Sequence, residues 1–243
     1  MVEARSLGTP VPNWTPPPRP LPGPAGTVLT GRFVRLEPLD PARHAVALHE
    51  GFAGRPDLFD YLPILPPEDA AAFRAWAEEA AGAADPVFYA LCDPATGRAQ
   101  GLAAWLHIAP EAGSIEVGGL VFSPAIQRSP ATTEAMALMM RWAFEAGYRR
   151  YEWKCNALNL PSRRAAQRLG FSYEGTFRQA MVLKGHNRDT AWFAAVDGDW
   201  PALRAAHDAW LAPGNFDAAG RQKHALSALT APILAARDPA LGP

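Results

Sequence analysis

The order of elements between residues 114 and 171 limits the possible folds more than any other feature of this chain. Residues 114–123 read as a strand. A loop then leads into a helix with marked ends: Ser129 is placed to cap it, and Pro130 suits its first position. Met136, Met139, Met140 and Ala143 recur at helical spacing, and Gly147 fits the stop. A strand over 151–156 follows, with Tyr151, Trp153 and Cys155 on one face. A short helix over 161–169 comes next, with Asn159 near its cap and Gly170 at its end.

The flanking segments complete an α+β layout, a mixed sheet with helices on its faces. Residues 32–37 alternate in the period of a half-buried strand. Residues 41–53 and 67–81 read as helices, with Glu68 and Asp69 in the first turn of the second, where acid complements the dipole. Residues 87–92 and 101–108 form a strand pair around the turn residues Asp93, Pro94, Thr96 and Gly97, and the strand over 114–123 makes the pair a meander. Two further strands, 172–183 and 189–196, close a domain spanning residues 28–200. Residues 1–27 form a proline-rich arm, either disordered or laid across the domain as a strap with Trp14 as its anchor. Residues 201–243 begin as helix and become rich in Ala, Pro and Gly. That tail is either a contact for a homodimer or a frayed end.

Composition excludes several classes of function. A formal net charge of -1 over 243 residues lacks the basic excess of a nucleic-acid binder. No apolar run approaches the ~18 residues of a membrane span. The N-terminus lacks a basic-then-apolar signal sequence. Two cysteines cannot build a disulfide framework or a cysteine-rich metal site. A cytoplasmic protein with buried thiols and no metal is expected.

Two segments could carry chemistry. Gln127, Arg128, Ser129, Ala131, Thr132 and Thr133 bring donors and free amides to a helix N-terminus, a ready anion site, although every capped helix has such an end. In the segment 159–171, Asn159 and Ser162 start a short helix after a strand, in the sheet-edge crevice where α/β proteins bind ligands. The plainer reading of that segment is a helix cap, solvating arginines and a core Phe171.

The Glu116-Val117-Gly118-Gly119 strand, the Thr133-Glu134-Ala135 helix, and the Asn159-x-x-Ser162 with Leu169-Gly170-Phe171 resemble, in this order and spacing, the GNAT superfamily of N-acetyltransferases. More narrowly they are similar to its ribosomal-protein N-acetyltransferase-like branch. The resemblance covers residues 27–200. It implies a mixed, mostly antiparallel sheet with a splayed central strand pair and helices on both faces. It further implies that acetyl-CoA is the co-substrate. The pantetheine would pair with backbone near Leu120, Val121 and Phe122, the pyrophosphate would lie on the 127–133 loop, and Asn159 and Ser162 would touch the cofactor arm. Two departures stand out: Pro130 and Thr132 occupy positions where the family has small residues, and Ala166 replaces a tyrosine that many relatives use as an acid. The second costs little, since a thiol of pKa about 8.5 already leaves well.

Acetyl transfer to an amine needs a base to accept the ammonium proton. The resemblance points to Glu116, whose other reading is an ordinary solvent-facing strand glutamate. Tyr173 is a second catalytic candidate, weighed against aromatic strand packing. Trp105, His107, Arg178, His186, Asn187 and Asp189 are expected beside the acceptor, with specificity set by the loops 61–67 and 184–188. The expected activity is direct transfer to a primary amine of a small molecule or a protein N-terminus. The alternative is a CoA-binding sensor or interaction module.

Overall fold

The computed structural model describes residues 10–64 and 66–242. Its eight strands are β1 Leu29–Thr30, β2 Arg35–Pro38, β3 Val87–Cys92, β4 Ala99–Ala109, β5 Ser114–Phe122, β6 Arg150–Asn156, β7 Ser172–Leu183 and β8 His186–Val196. They form one sheet in the order β1-β2-β3-β4-β5-β6-β8-β7. All neighbours are antiparallel except β5 and β6. The helices are α1 Pro41–Phe52, α2 Ala70–Gly82, α3 Pro130–Glu145, α4 Leu160–Leu169, α5 Trp200–Leu211 and α6 Leu226–Thr230.

Two apolar layers sandwich the sheet. Phe52 of α1 and Phe73 and Ala77 of α2 pack with Leu102 and Val121 on one face. Met136, Met139 and Met140 of α3 pack with Trp105, Val117, Tyr151 and Trp153 on the other. Leu203, Trp210 and Leu226, all beyond residue 200, belong to the second layer, so α5 and α6 share the core of the preceding domain. The tail continues this packing. Arg163 forms a two-pronged ion pair with Asp238, which is 0 % exposed, and Ala236 accepts the amide of Tyr173. Residues 10–27 of the arm lie across the domain as a strap: Arg19 donates to the carbonyl of Ile108 at 2.9 Å, and Tyr148 donates to that of Pro18 at 3.1 Å.

Three local expectations change. The strand expected over 32–37 begins only at Arg35, because the amides of Arg32, Phe33 and Val34 all donate to the carboxylate of Glu134 on α3. Gly31 permits that approach, since a Cβ there would meet Glu134 at 2.3 Å. The second helix begins at Ala70, because Asp69 accepts the amide of Ala72 and so caps the helix from outside it, with Glu68 further out. Ser129 precedes α3 but makes no side-chain cap; its hydroxyl donates to the Ile126 carbonyl instead. No helix among the described residues is long and apolar enough to cross a membrane.

Candidate active site

The parallel pairing of β5 with β6 runs only from Ser114–Arg150 to Val117–Trp153. Beyond it the two strands part, and β5 bulges. Ala104 opposes Gly118 and Leu102 opposes Val121, so three steps on β5 meet two on β4. The extra residue needs the left-handed backbone of Gly119 (φ 60°), where a Cβ would lie 2.9 Å from the Phe88 ring. A bulge leaves backbone groups out of the ladder. Here it does so at the mouth of the splay.

A cleft of about 650 Å³ opens at this point. Gly118, Gly119, Leu120 and Val121 line one side, and Trp153, Cys155, Asn156, Asn159 and Ser162 line the other. Asn159 is also the cap of α4: its Oδ1 accepts the Ser162 amide at 3.1 Å, which leaves its amide nitrogen for a ligand. The Ser162 hydroxyl accepts from the Trp153 indole at 3.0 Å. Cap and cleft position are therefore held by the same residue, and the two readings of Asn159 are compatible.

Glu116 is not the solvent-facing strand glutamate. It is 4 % exposed, and its Oε2 lies 2.7 Å from His107 Nδ1 and 2.9 Å from Lys154 Nζ. Lys154 also meets Glu152 at 2.9 Å and sits 3.8 Å above the Trp192 ring. The hydrogen bond to Glu116 raises the His107 pKa above its ordinary value despite partial desolvation. A second bulge explains why His107 is here. Leu106 opposes Glu116 while Ala109 opposes Ser114, so β4 carries the extra residue, and His107 adopts φ 47°. Simple alternation would turn His107 away from the face of Leu106 and Glu116. Asp85 fixes the bulge by accepting the amides of His107 and Ile108.

Other expected site residues separate into two groups. Lys184 Nζ donates to the Phe59 carbonyl at 2.7 Å, joining the β7–β8 turn to the segment leading into Tyr61. Arg188, on β8 just past that turn, lines the cleft, as do Tyr61, Leu62 and Ile64; Leu65 of the other loop lies outside the described residues. Trp105 does not line the cleft. It is fully buried on the α3 face between Tyr89 and Trp142. Tyr173 is also displaced: its ring packs on Phe193, its hydroxyl bonds that of Thr176, and it is not a cleft residue. Arg178, His186, Asn187 and Asp189 are likewise outside the lining; Asp189 instead accepts from the Gln179 amide and the Asn187 side chain.

The 127–133 loop lies beyond the cleft lining, at the end of β5. Gln127 donates to the Phe122 carbonyl, Thr132 to that of Ser129, and the Thr133 hydroxyl accepts from Arg168. Arg128 adopts φ 57°. The hydroxyls of Ser129, Thr132 and Thr133 are thus engaged internally, and what the loop can offer an anion is the free amides of the first turn of α3, Ala131 and Thr132 included.

Comparison with known proteins agrees with this geometry. The family model for the acetyltransferase (GNAT) domain matches residues 34–172. The chain belongs to the GNAT acetyltransferase family. A GCN5-related N-acetyltransferase from Brucella melitensis is similar at 46 % identity and TM-score 0.86, over 91 % of this chain and 100 % of that one. A probable GNAT-family acetyltransferase from Chromobacterium violaceum is similar at 38 % identity and TM-score 0.75, over 82 % and 99 %. The ribosomal L7/L12 α-N-protein acetyltransferase RimL, in complex with coenzyme A, shares the fold at 20 % identity and TM-score 0.61, over 70 % and 99 %. The search of curated proteins gave no match. This acetyltransferase is accordingly an acetyl-CoA-dependent acyltransferase with a mixed sheet, one splayed parallel pair and helices on both faces.

Proposed function

We propose that this acetyltransferase moves the acetyl group of acetyl-CoA directly to a primary amine, of a small molecule or a protein N-terminus, in a ternary complex. The observation that carries the reading is the His107–Glu116 pair, set in the cleft beside the Gly119 bulge. With Nδ1–H donating to Glu116, the neutral imidazole keeps its Nε2 lone pair for the cleft. His107 is then the base, and Glu116 acts through it by fixing the tautomer and strengthening the base. Lys154 holds Glu116 from the other side at 2.9 Å, so the carboxylate is engaged by both neighbours.

In this reading the amine nitrogen attacks the thioester carbonyl and passes its proton to His107 Nε2. A backbone amide freed by the β5 bulge receives the developing oxyanion. The intermediate collapses and releases the CoA thiolate. Leu120, Val121 and Phe122 border the pantetheine, Asn159 and Ser162 flank it, and the amides of the 127–133 loop take the pyrophosphate. The test is thermal-shift titration with acetyl-CoA, followed by thiol release across a panel of amines. Stabilisation and amine-dependent release are expected; absence of stabilisation at millimolar acetyl-CoA overturns the reading.

A further inference from the structure

The cleft is lined by three residues whose side-chain donors have no partner among the described residues. Arg188, Thr190 and Trp192 follow at i, i+2 and i+4 on β8, so they share one face, and all three line the cleft. Thr190 is 4 % exposed, and its hydroxyl has no hydrogen-bond partner among the described residues. The Trp192 indole N–H and Arg188 Nε are also buried without partners among the described residues. A polar group enclosed in this way carries a desolvation cost that an acceptor in the site would remove.

Arg188 stands apart from the chain's other site charges. Burial pushes its guanidinium pKa down. The carboxylate that reaches it through space is Glu116, which already holds His107 and Lys154. The cleft lining thus carries two basic side chains, Lys154 and Arg188, besides His107, and one carboxylate. The rest of the lining is largely apolar: Trp76, Phe88 and Leu106 come from α2, β3 and β4, while Phe177 and Met181 on β7 pair with Thr190 and Arg188, and Phe177 packs on Trp192 at 4.8 Å.

Resting on the amine-acetylation reading above, we propose that the acceptor is a small apolar amine that carries a carboxylate, as an apolar amino acid does, and that Arg188 and Thr190 bind that carboxylate. The guanidinium fork matches a carboxylate in two parallel hydrogen bonds, and the threonine hydroxyl supplies a third donor. The apolar body lies against Phe88 and Phe177, and the amine is directed to His107. Arg188 is a specificity residue and takes no part in proton transfer.

The test uses two readouts. In the first, thermal shift is measured for the full chain with 3-phenylpropanoate, 4-methylpentanoate and indole-3-propanoate, each against its uncharged amide. These ligands have no amine, so they report the subsite whether or not the protein transfers acetyl groups. At least one carboxylate is expected to stabilise the protein more than its amide does, and Arg188→Gln abolishes the difference while Arg188→Lys keeps part of it. In the second, kcat/KM is compared for phenylalanine and phenethylamine, and for leucine and 3-methylbutylamine. A preference of about tenfold to a hundredfold for the carboxylate-bearing amine is expected, carried mainly by KM and lost in Arg188→Gln. Carboxylates that bind without turnover of any amine overturn the amine-acetylation reading and leave the subsite standing. Equal shifts for every carboxylate and its amide, or a carboxylate effect that survives Arg188→Gln, overturn the subsite.

Discussion

Asp85 holds His107 by its backbone: one carboxylate oxygen accepts the His107 amide at 3.0 Å and the other accepts the Ile108 amide at 2.9 Å. The imidazole faces Glu116 only because β4 bulges at this point, so Asp85 is a positioning residue for the proposed base. Asp85→Ala is expected to lower kcat by on the order of tenfold to a hundredfold, as small misplacements of reacting groups do. KM for acetyl-CoA should stay within about twofold, and Asp85→Asn, which keeps an acceptor for one amide, should recover part of the loss. Steady-state kinetics of both variants decide it; an unchanged kcat in Asp85→Ala removes the role.

The pH profile separates His107 from Glu116. The deprotonated imidazole is the active form, so kcat/KM should rise with pH through a limb placed above His107's ordinary value of 6.5. In Glu116→Gln the carboxylate charge that strengthens this bond and raises the pKa is gone, and the Lys154 ammonium remains near. The limb should therefore move to lower pH, and the maximal rate should fall. Were Glu116 itself the base, the rising limb would disappear in that variant.

The Arg163–Asp238 pair ties the tail to α4 by two 2.6 Å hydrogen bonds, with Arg163 also donating to the Ala157 carbonyl. Removing one partner strands the other charge in the interior. Asp238→Ala should cost about 3–5 kcal/mol, read as a lower denaturation midpoint at constant m-value. A change below about 1 kcal/mol would show that the tail contributes little to the core.

Glu134 collects three amides from the approach to β2. Glu134→Gln halves its acceptor capacity and removes the charge. Hydrogen exchange at Arg32, Phe33 and Val34 should accelerate at least tenfold, while the amides of β5 and β6 keep their protection. Equal loss of protection across the sheet would mean global destabilisation instead.

The central elements were legible because their signals are local. Pro130, Gly147, Asn159 and Gly170 mark helix ends wherever they occur, and the Met and aromatic spacings identify the buried faces. The errors have non-local causes. Residues 32–34 alternate as a strand does, but a carboxylate about a hundred positions away takes their amides. Strand β4 is covered on both faces, so its sequence gives no alternation to separate Trp105 from Leu106. On β7 the register shifts between Tyr173 and Gly175, which puts Tyr173 opposite Phe193 but Phe177 opposite Thr190. One extra residue therefore turned Tyr173 away from the cleft that Phe177 faces. His107 reaches Glu116 through a bulge of the same kind, and nothing in the residues 106–109 announces it.

The Phe88 ring stands where a side chain at position 119 would have to go, and its other side packs on Trp76 at 5.3 Å. It is a party wall between the strand that bulges and the helix that roofs the apolar end of the cleft. The bulge of β5 and the packing of α2 thus lean on the same aromatic ring, so a change of side chain on one side of it is felt on the other.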